Sequence, residues 1–62
     1  MTAKDMIDMI FYFDSEDDNE CEKVKRTYKE FMRTATQEDI DEIRESGAGE
    51  TFYMMFGDYR RL

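Results

Sequence analysis

Apolar residues recur at alternating intervals of three and four positions through the middle of the chain. The positions are Cys21, Val24, Tyr28, Phe31 and Ala35, with Met32 beside them. This spacing is a heptad seam, and it places these side chains within an arc of roughly 100° on a helical wheel. Ser15 is predicted as the N-cap, and the acidic residues 16–18 fill the first turn, where the helix dipole favours negative charge. Residues 15–35 are therefore predicted to form a long amphipathic helix, the central rod of the fold.

The segment before this rod also has the pattern of a helix. Thr2 and Asp5 form a capping box in which aspartate takes the usual place of glutamate. The apolar residues predicted to share its broad core face are Ala3, Met6, Ile7, Ile10, Phe11 and Phe13. Met9 and Tyr12 fall outside that face. A helix with apolar residues over more than half of its circumference is expected to pack against other elements on two sides.

The second half of the chain predicts one short helix and one ambiguous segment. Thr36 and Asp39 repeat the capping box, and the helix they begin is predicted to end at Gly47, a C′ glycine. Residues 46–49 are predicted to form a hinge or turn. Residues 51–62 are preferred as a helix, although their first six letters, TFYMMF, also have good β-propensity. As a helix, the segment would gather on one face the residues Phe52, Met55, Phe56, Tyr59 and Leu62.

These elements predict a single all-α domain over residues 1–62, a small bundle of three to four short helices. The alternative is a βααβ arrangement in which the N- and C-terminal segments pair as strands. A chain of 62 residues buries only about 60% of the surface that its unfolded form exposes, so a partner or self-association would add useful stability.

Chemistry-bearing residues are scarce. The chain has one cysteine and no histidine, which excludes an intrachain disulfide and a zinc site of the usual kind. The acidic run 14–22 fails as an EF-hand, because Asn19 stands where the glycine is needed and Lys25 where the bidentate glutamate is needed. Cys21 has no imidazole to activate it and is predicted to be a small core residue. No cofactor, metal or catalytic residue is predicted, so the chain is expected not to be an enzyme.

The net charge of the chain restricts the kind of partner that it is expected to bind. Sixteen acidic and nine basic residues give a net charge of −7, which argues against direct binding to nucleic acid or to an anionic membrane and favours a basic protein surface. Lys25, Arg26, Lys29 and Arg33 could form a nucleic-acid stripe. The preferred interpretation is that the acidic third helix folds back beside them and neutralises them, which leaves the excess negative charge at residues 14–22.

The sequence thus predicts a non-enzymatic acidic protein that attaches to a larger protein and modulates or inhibits it, by occupying a basic surface that would otherwise bind nucleic acid. The alternative is a homo-oligomeric structural or regulatory subunit, with a homodimer as its simplest form. The lone cysteine and the absence of a signal pattern predict a reducing, cytoplasmic location. The predicted partner-binding residues are Glu16, Asp17, Asp18, Glu20 and Glu22 for charge, and Met9, Tyr12, Tyr53 and Met54 as apolar anchors.

Overall fold

The structure, a computed structural model, describes residues 1–57. In this range the chain forms four helices, α1 (Ala3–Tyr12), α2 (Asp18–Thr34), α3 (Gln37–Ser46) and α4 (Ala48–Phe56). The all-α prediction is confirmed. The βααβ alternative is wrong, because residues 6–12 and 51–56 of the two segments proposed as strands are helical. The predicted face positions Tyr59 and Leu62 lie outside the described residues.

Helix α1 is the central element of the bundle. Its capping box forms as predicted, with the Thr2 hydroxyl accepting from the Asp5 amide and the Asp5 carboxylate accepting from the Thr2 amide, both at 3.2 Å. Ala3, Met6 and Ile10 are buried, and α1 packs against each of the other three helices. The expectation that this helix needs cover on more than one side is confirmed. The prediction that the second helix is the central rod is wrong, since α1 is the main neighbour of α2.

Helix α2 begins later than its sequence pattern predicts. Asp17, not Ser15, is the N-cap, and its carboxylate accepts from the amides of Asn19 and Glu20. The predicted seam does face the core: Val24 and Tyr28 are buried there. The remaining seam residues are only partly buried, namely Cys21, Phe31, Met32 and Ala35.

Gly47 joins α3 directly to α4. The predicted capping box at Thr36 forms, and α3 ends at Gly47 in the left-handed conformation with φ 84°. The Ser46 hydroxyl donates to the Ile43 carbonyl and accepts from the Ala48 amide, so it bridges the two helices. The predicted hinge at 46–49 is wrong in extent, because only Gly47 is a turn and α4 already begins at Ala48. Ala48 and Gly49, two small residues in the first turn of α4, are both buried.

Aromatic contacts fix the direction of the helices. The Tyr28 and Phe52 rings stack with centroids 4.1 Å apart, and the Phe52 and Phe56 rings lie 4.7 Å apart. The Lys25 ammonium lies 5.7 Å from the centroid of the Phe56 ring. Position 25 therefore pairs with 56 and position 28 with 52, so α2 and α4 run antiparallel.

The side-chain predictions for α1 and α4 are partly wrong at the edges of the core. Phe11, predicted on the core face, is 44% exposed, and Met55, predicted on the core face of the last helix, is 42% exposed. Met9, predicted to lie off the core face, packs against the core and is partly buried. Each of these residues sits at the margin of its helical face, where the placement of the neighbouring helices decides whether it is covered.

Candidate functional site

Helices α1 and α4 end side by side, and α2 begins next to them. The Phe13 and Phe56 rings stack with centroids 5.9 Å apart, which joins the C-terminal ends of α1 and α4. Lys25 lies over the Phe56 ring and its ammonium is 3.6 Å from the Glu22 carboxylate, so the first turns of α2 belong to the same end of the molecule. We call this surface the acidic end and define it as residues 12–22 together with residues 53–56.

Two carboxylates of the acidic end hold its loop in shape. An Asp14 carboxylate oxygen accepts from the Glu16 amide at 3.0 Å, while the Asp17 amide donates to the Asp14 carbonyl at 3.1 Å. Asp17 then caps α2 through the amides of Asn19 and Glu20, at 2.9 and 3.4 Å. An aspartate at the first position of a turn and another at an N-cap are both common uses of this side chain. The partner-binding residue predicted at Asp17 is therefore also a structural cap.

The other predicted carboxylates divide into one paired and three unpaired groups. Glu22 forms the ion pair with Lys25. Within residues 1–57, the side chains of Glu16, Asp18 and Glu20 form no hydrogen bond or ion pair, and the first two are exposed. The positive end of the α2 dipole stabilises negative charge at these positions, which lets the chain concentrate carboxylates there without an internal cation.

Two of the four predicted apolar anchors are strongly exposed. Tyr12 is 82% exposed and Met54 is 79% exposed, and Tyr53 is partly exposed beside Met54. Tyr12 directly precedes Phe13, and Met54 lies two positions before Phe56, so the Phe13–Phe56 contact brings these residues to one end of the molecule. Met9 packs against the core and is partly buried, so it is less accessible than the other three, and its role as an anchor stays a prediction.

Two apolar residues that the sequence assigned to core faces are exposed, Phe11 on α1 and Met55 on α4. Both were assigned to the core from helical periodicity. Periodicity locates the centre of a buried face but not its width, because the width depends on where neighbouring helices end. The only sequence signal for their exposure is their position near the last turn of a short helix, where fewer neighbouring residues pack against a side chain.

The predicted neutralisation of α2 by α3 is not found. Helix α3 packs chiefly on α1 and α4 rather than beside α2. The Arg33–Glu30 pair at 2.9 Å and the Arg44–Asp41 pair at 3.1 Å are each formed within one helix. Helix α3 therefore leaves the basic side chains of α2 at the surface instead of covering them.

The described part of the chain offers few groups for chemistry. No charged residue among residues 1–57 is buried, and no group of three or more Cys, Asp or Glu side chains in that range could hold a metal ion. The Cys21 thiol is partly buried and lies 3.4 Å from the Ser15 carbonyl oxygen, to which it donates. None of the four described helices is long and apolar enough to cross a membrane.

No family model, curated protein or solved structure matches this chain. The chemistry of its own surface is therefore the basis for the function proposed below.

Proposed function

We propose that this chain is a non-enzymatic binding protein that docks its acidic end on a basic surface of a larger protein and thereby modulates or blocks that protein. The observation that carries the proposal is the Phe13–Phe56 contact. It places the exposed Tyr12 and Met54 at the same end of the molecule as the unpaired carboxylates of the α1–α2 loop.

The acidic end has the two components of an effective docking surface. Tyrosine and methionine provide apolar contact area, and methionine adapts to irregular partner surfaces. Carboxylates contribute little affinity at a solvated rim, but they orient the encounter and raise the association rate with a positive partner. Residues 14–22 contain six acidic and no basic residues, so the local field is predominantly negative even though the Lys25 ammonium pairs with Glu22.

A basic surface that binds nucleic acid is the partner class that fits this field. Glu16 lies in the loop, and Asp18 and Glu20 lie in the first turn of α2, so three negative charges are concentrated around the start of this helix. A basic groove that binds phosphates would also attract these carboxylates electrostatically. The expected function is therefore competitive occupation of such a groove.

The surface location of the charged groups supports the non-enzymatic part of the proposal. General acid–base catalysis at neutral pH requires a carboxyl group in an environment that shifts its pKa and a cleft that holds the substrate. None of the carboxylates of the acidic end is buried, and they either cap backbone amides, pair with lysine or form no hydrogen bond or ion pair within residues 1–57.

The test is a pull-down from host lysate at low salt, with a charge-neutral variant and a matched control. The variant Glu16→Gln/Asp18→Asn/Glu20→Gln removes three charges from the acidic end. The control Glu38→Gln/Glu42→Gln/Glu45→Gln removes three exposed charges from α3. We expect the wild type and the control to retain the same basic protein, which is released by about 0.5 M salt because screening shortens to a few ångströms there. The variant should lose it.

Loss of the partner by both variants to the same degree would show that net charge alone, and not the acidic end, determines binding. Capture of acidic proteins only, or retention that is unchanged by salt, would overturn the proposal. A direct competition assay follows from a positive result: the wild type should displace nucleic acid from the captured partner, whereas the acidic-end variant should not.

A homo-oligomeric structural or regulatory subunit is the second candidate, and the exposure of Tyr12 and Met54 favours it. In that case these side chains would be buried between two copies. Sedimentation at micromolar concentration separates the two candidates. A stable dimer that Tyr12→Ser and Met54→Ser convert to monomer supports the second candidate, and a monomer supports the first.

A further inference from the structure

The six methionines of the chain differ widely in their exposure to solvent. Met54 is 79% exposed, Met1 is 64% exposed and Met55 is 42% exposed, whereas Met6 is 0% exposed. The remaining two are partly buried against the core. A dissolved oxidant reacts with a thioether only where it can reach the side chain. Met54 is therefore the methionine of the described helices that such an oxidant meets first.

Met54 also lies in the acidic end, on the side of α4 away from the buried Phe52. The other strongly exposed methionine, Met1, lies elsewhere, because it lines a surface groove with Phe31 and Thr34 in the C-terminal half of α2. At 1.5 Å of rise per residue, Phe31 is about 20 Å along α2 from the first turn that belongs to the acidic end. A chemical change at Met1 thus leaves the acidic end unaltered, and a change at Met54 does not.

We propose that Met54 is a site of reversible oxidation by hydrogen peroxide, and that its oxidation releases the acidic end from its partner. The second part rests on the function proposed above. The Met54 sulfur attacks one peroxide oxygen, an S–O bond forms as the O–O bond breaks, and after proton transfer water leaves. The sulfur loses two electrons and the peroxide gains them. Two thiols of a sulfoxide reductase reverse the step and yield the thioether, water and a disulfide.

The sulfoxide changes the docking surface without unfolding the chain. It is polar and chiral, so it no longer offers the flexible apolar contact that the thioether provides. Loss of one buried methionine contact is expected to weaken partner binding by about tenfold or more. The fold is preserved, because Met54 is mostly exposed and Met6, whose oxidation would disrupt the core, is fully buried. Hydrogen peroxide is uncharged, so the neighbouring carboxylates do not repel it.

The first test needs no partner. The purified chain is treated with limiting hydrogen peroxide, digested with trypsin and sequenced by mass spectrometry. Met54 should gain one oxygen atom before Met55 does and well before Met6, while the melting curve followed by far-UV circular dichroism stays unchanged. Equal oxidation of Met54 and Met6, or loss of helical structure in step with oxidation of Met54, would overturn the proposal.

The second test compares retention of the basic protein from host lysate before and after peroxide, each variant being measured against itself. Wild type should retain about tenfold less after treatment, and sulfoxide reductases for both epimers, with a thiol reductant, should restore retention. Met54→Leu keeps an apolar side chain that peroxide does not oxidise, so its retention should not change on treatment. Met55→Leu is the matched control at the neighbouring position and should remain as sensitive as wild type.

The outcomes separate this inference from the proposed function. Met54→Leu retains Cys21, so a loss of partner from this variant under peroxide would assign the effect to the thiol or to another methionine and overturn the proposal. Unchanged retention by wild type with oxidised Met54 would overturn it too, while the proposed function would stand. An untreated wild type that captures no basic protein would overturn the proposed function and the control of docking together, and the order of oxidation would still decide whether Met54 is the oxidation site.

Discussion

At the scale of single residues, Phe52 connects several helices of the bundle. It is 2% exposed, its ring stacks on Tyr28 from α2, and it lies 4.7 Å from the Phe56 ring, which in turn contacts Phe13 at the end of α1. One side chain thus connects α4 to α2 and, through Phe56, to α1. Aromatic pairs of this kind contribute about 0.5–1.5 kcal/mol beyond their area burial.

Phe52→Ala is expected to lower the free energy of unfolding by about 3–5 kcal/mol, because it removes a buried ring and leaves a cavity beside Tyr28. Met54→Ala, two positions along the same helix, is the matched control and should change it by less than about 0.5 kcal/mol, since Met54 is mostly exposed. Urea denaturation followed by circular dichroism measures both. Equal losses in the two variants would contradict the placement of α4.

Gly47 holds the chain between α3 and α4 through its backbone conformation alone. Its φ is 84°, and a Cβ built there would meet no heavy atom within 4 Å. Gly47→Ala should therefore cost about 1–2 kcal/mol of stability from left-handed strain and not from a clash. Gly47→Asn should cost less, because asparagine adopts this conformation more readily. Thermal melting of the two variants tests the order, and an alanine variant as stable as wild type would refute the left-handed turn.

At the scale of elements, the sequence correctly predicted where a helix begins when a capping box marked its start. Thr2 and Thr36 each have an aspartate three residues on, and both capping boxes form. The start of α2 was misplaced because Asp14, Ser15 and Asp17 are all good caps. The choice among them depends on the turn that Asp14 closes, which periodicity does not reveal.

Asp17→Ala should destabilise the fold by about 0.5–2 kcal/mol, because two α2 amides lose their acceptor. Ser15→Ala is the control, and it should change stability by less than about 0.5 kcal/mol, since the structure gives the Ser15 side chain no role as the cap of α2. The urea midpoints of the two variants decide between the two candidate caps. A larger loss for Ser15→Ala would reverse the assignment.

The sequence predicted which segments form helices better than it predicted how those helices pack against one another. The regular heptad seam of α2 predicted that this helix would be the central rod. Instead α1, which has apolar residues around more of its circumference, contacts all the other helices. The exposure of Phe11 and the burial of Met9 depend on the same arrangement, which no local pattern encodes. Gly49 was predicted to be part of a hinge or turn, but it is buried within the first turn of α4.

At the scale of the whole molecule, charge is segregated rather than balanced. Acidic groups cluster at the acidic end and along α3, while α2 carries five of the nine basic residues. The candidate carboxylates were predictable from sequence because they are contiguous. Their proximity to Met54 was not, since it depends on the Phe13–Phe56 contact between residues 43 positions apart in the chain.

The central claim is that the acidic end contacts the partner. Titration of the captured partner into the ¹⁵N-labelled chain, followed by amide chemical-shift changes, tests this residue by residue. The largest changes should map to residues 12–22 and 53–56, and they should diminish as salt is raised to about 0.5 M, where charges are screened within a few ångströms. Changes centred on α3, or spread evenly over all four helices, would contradict it.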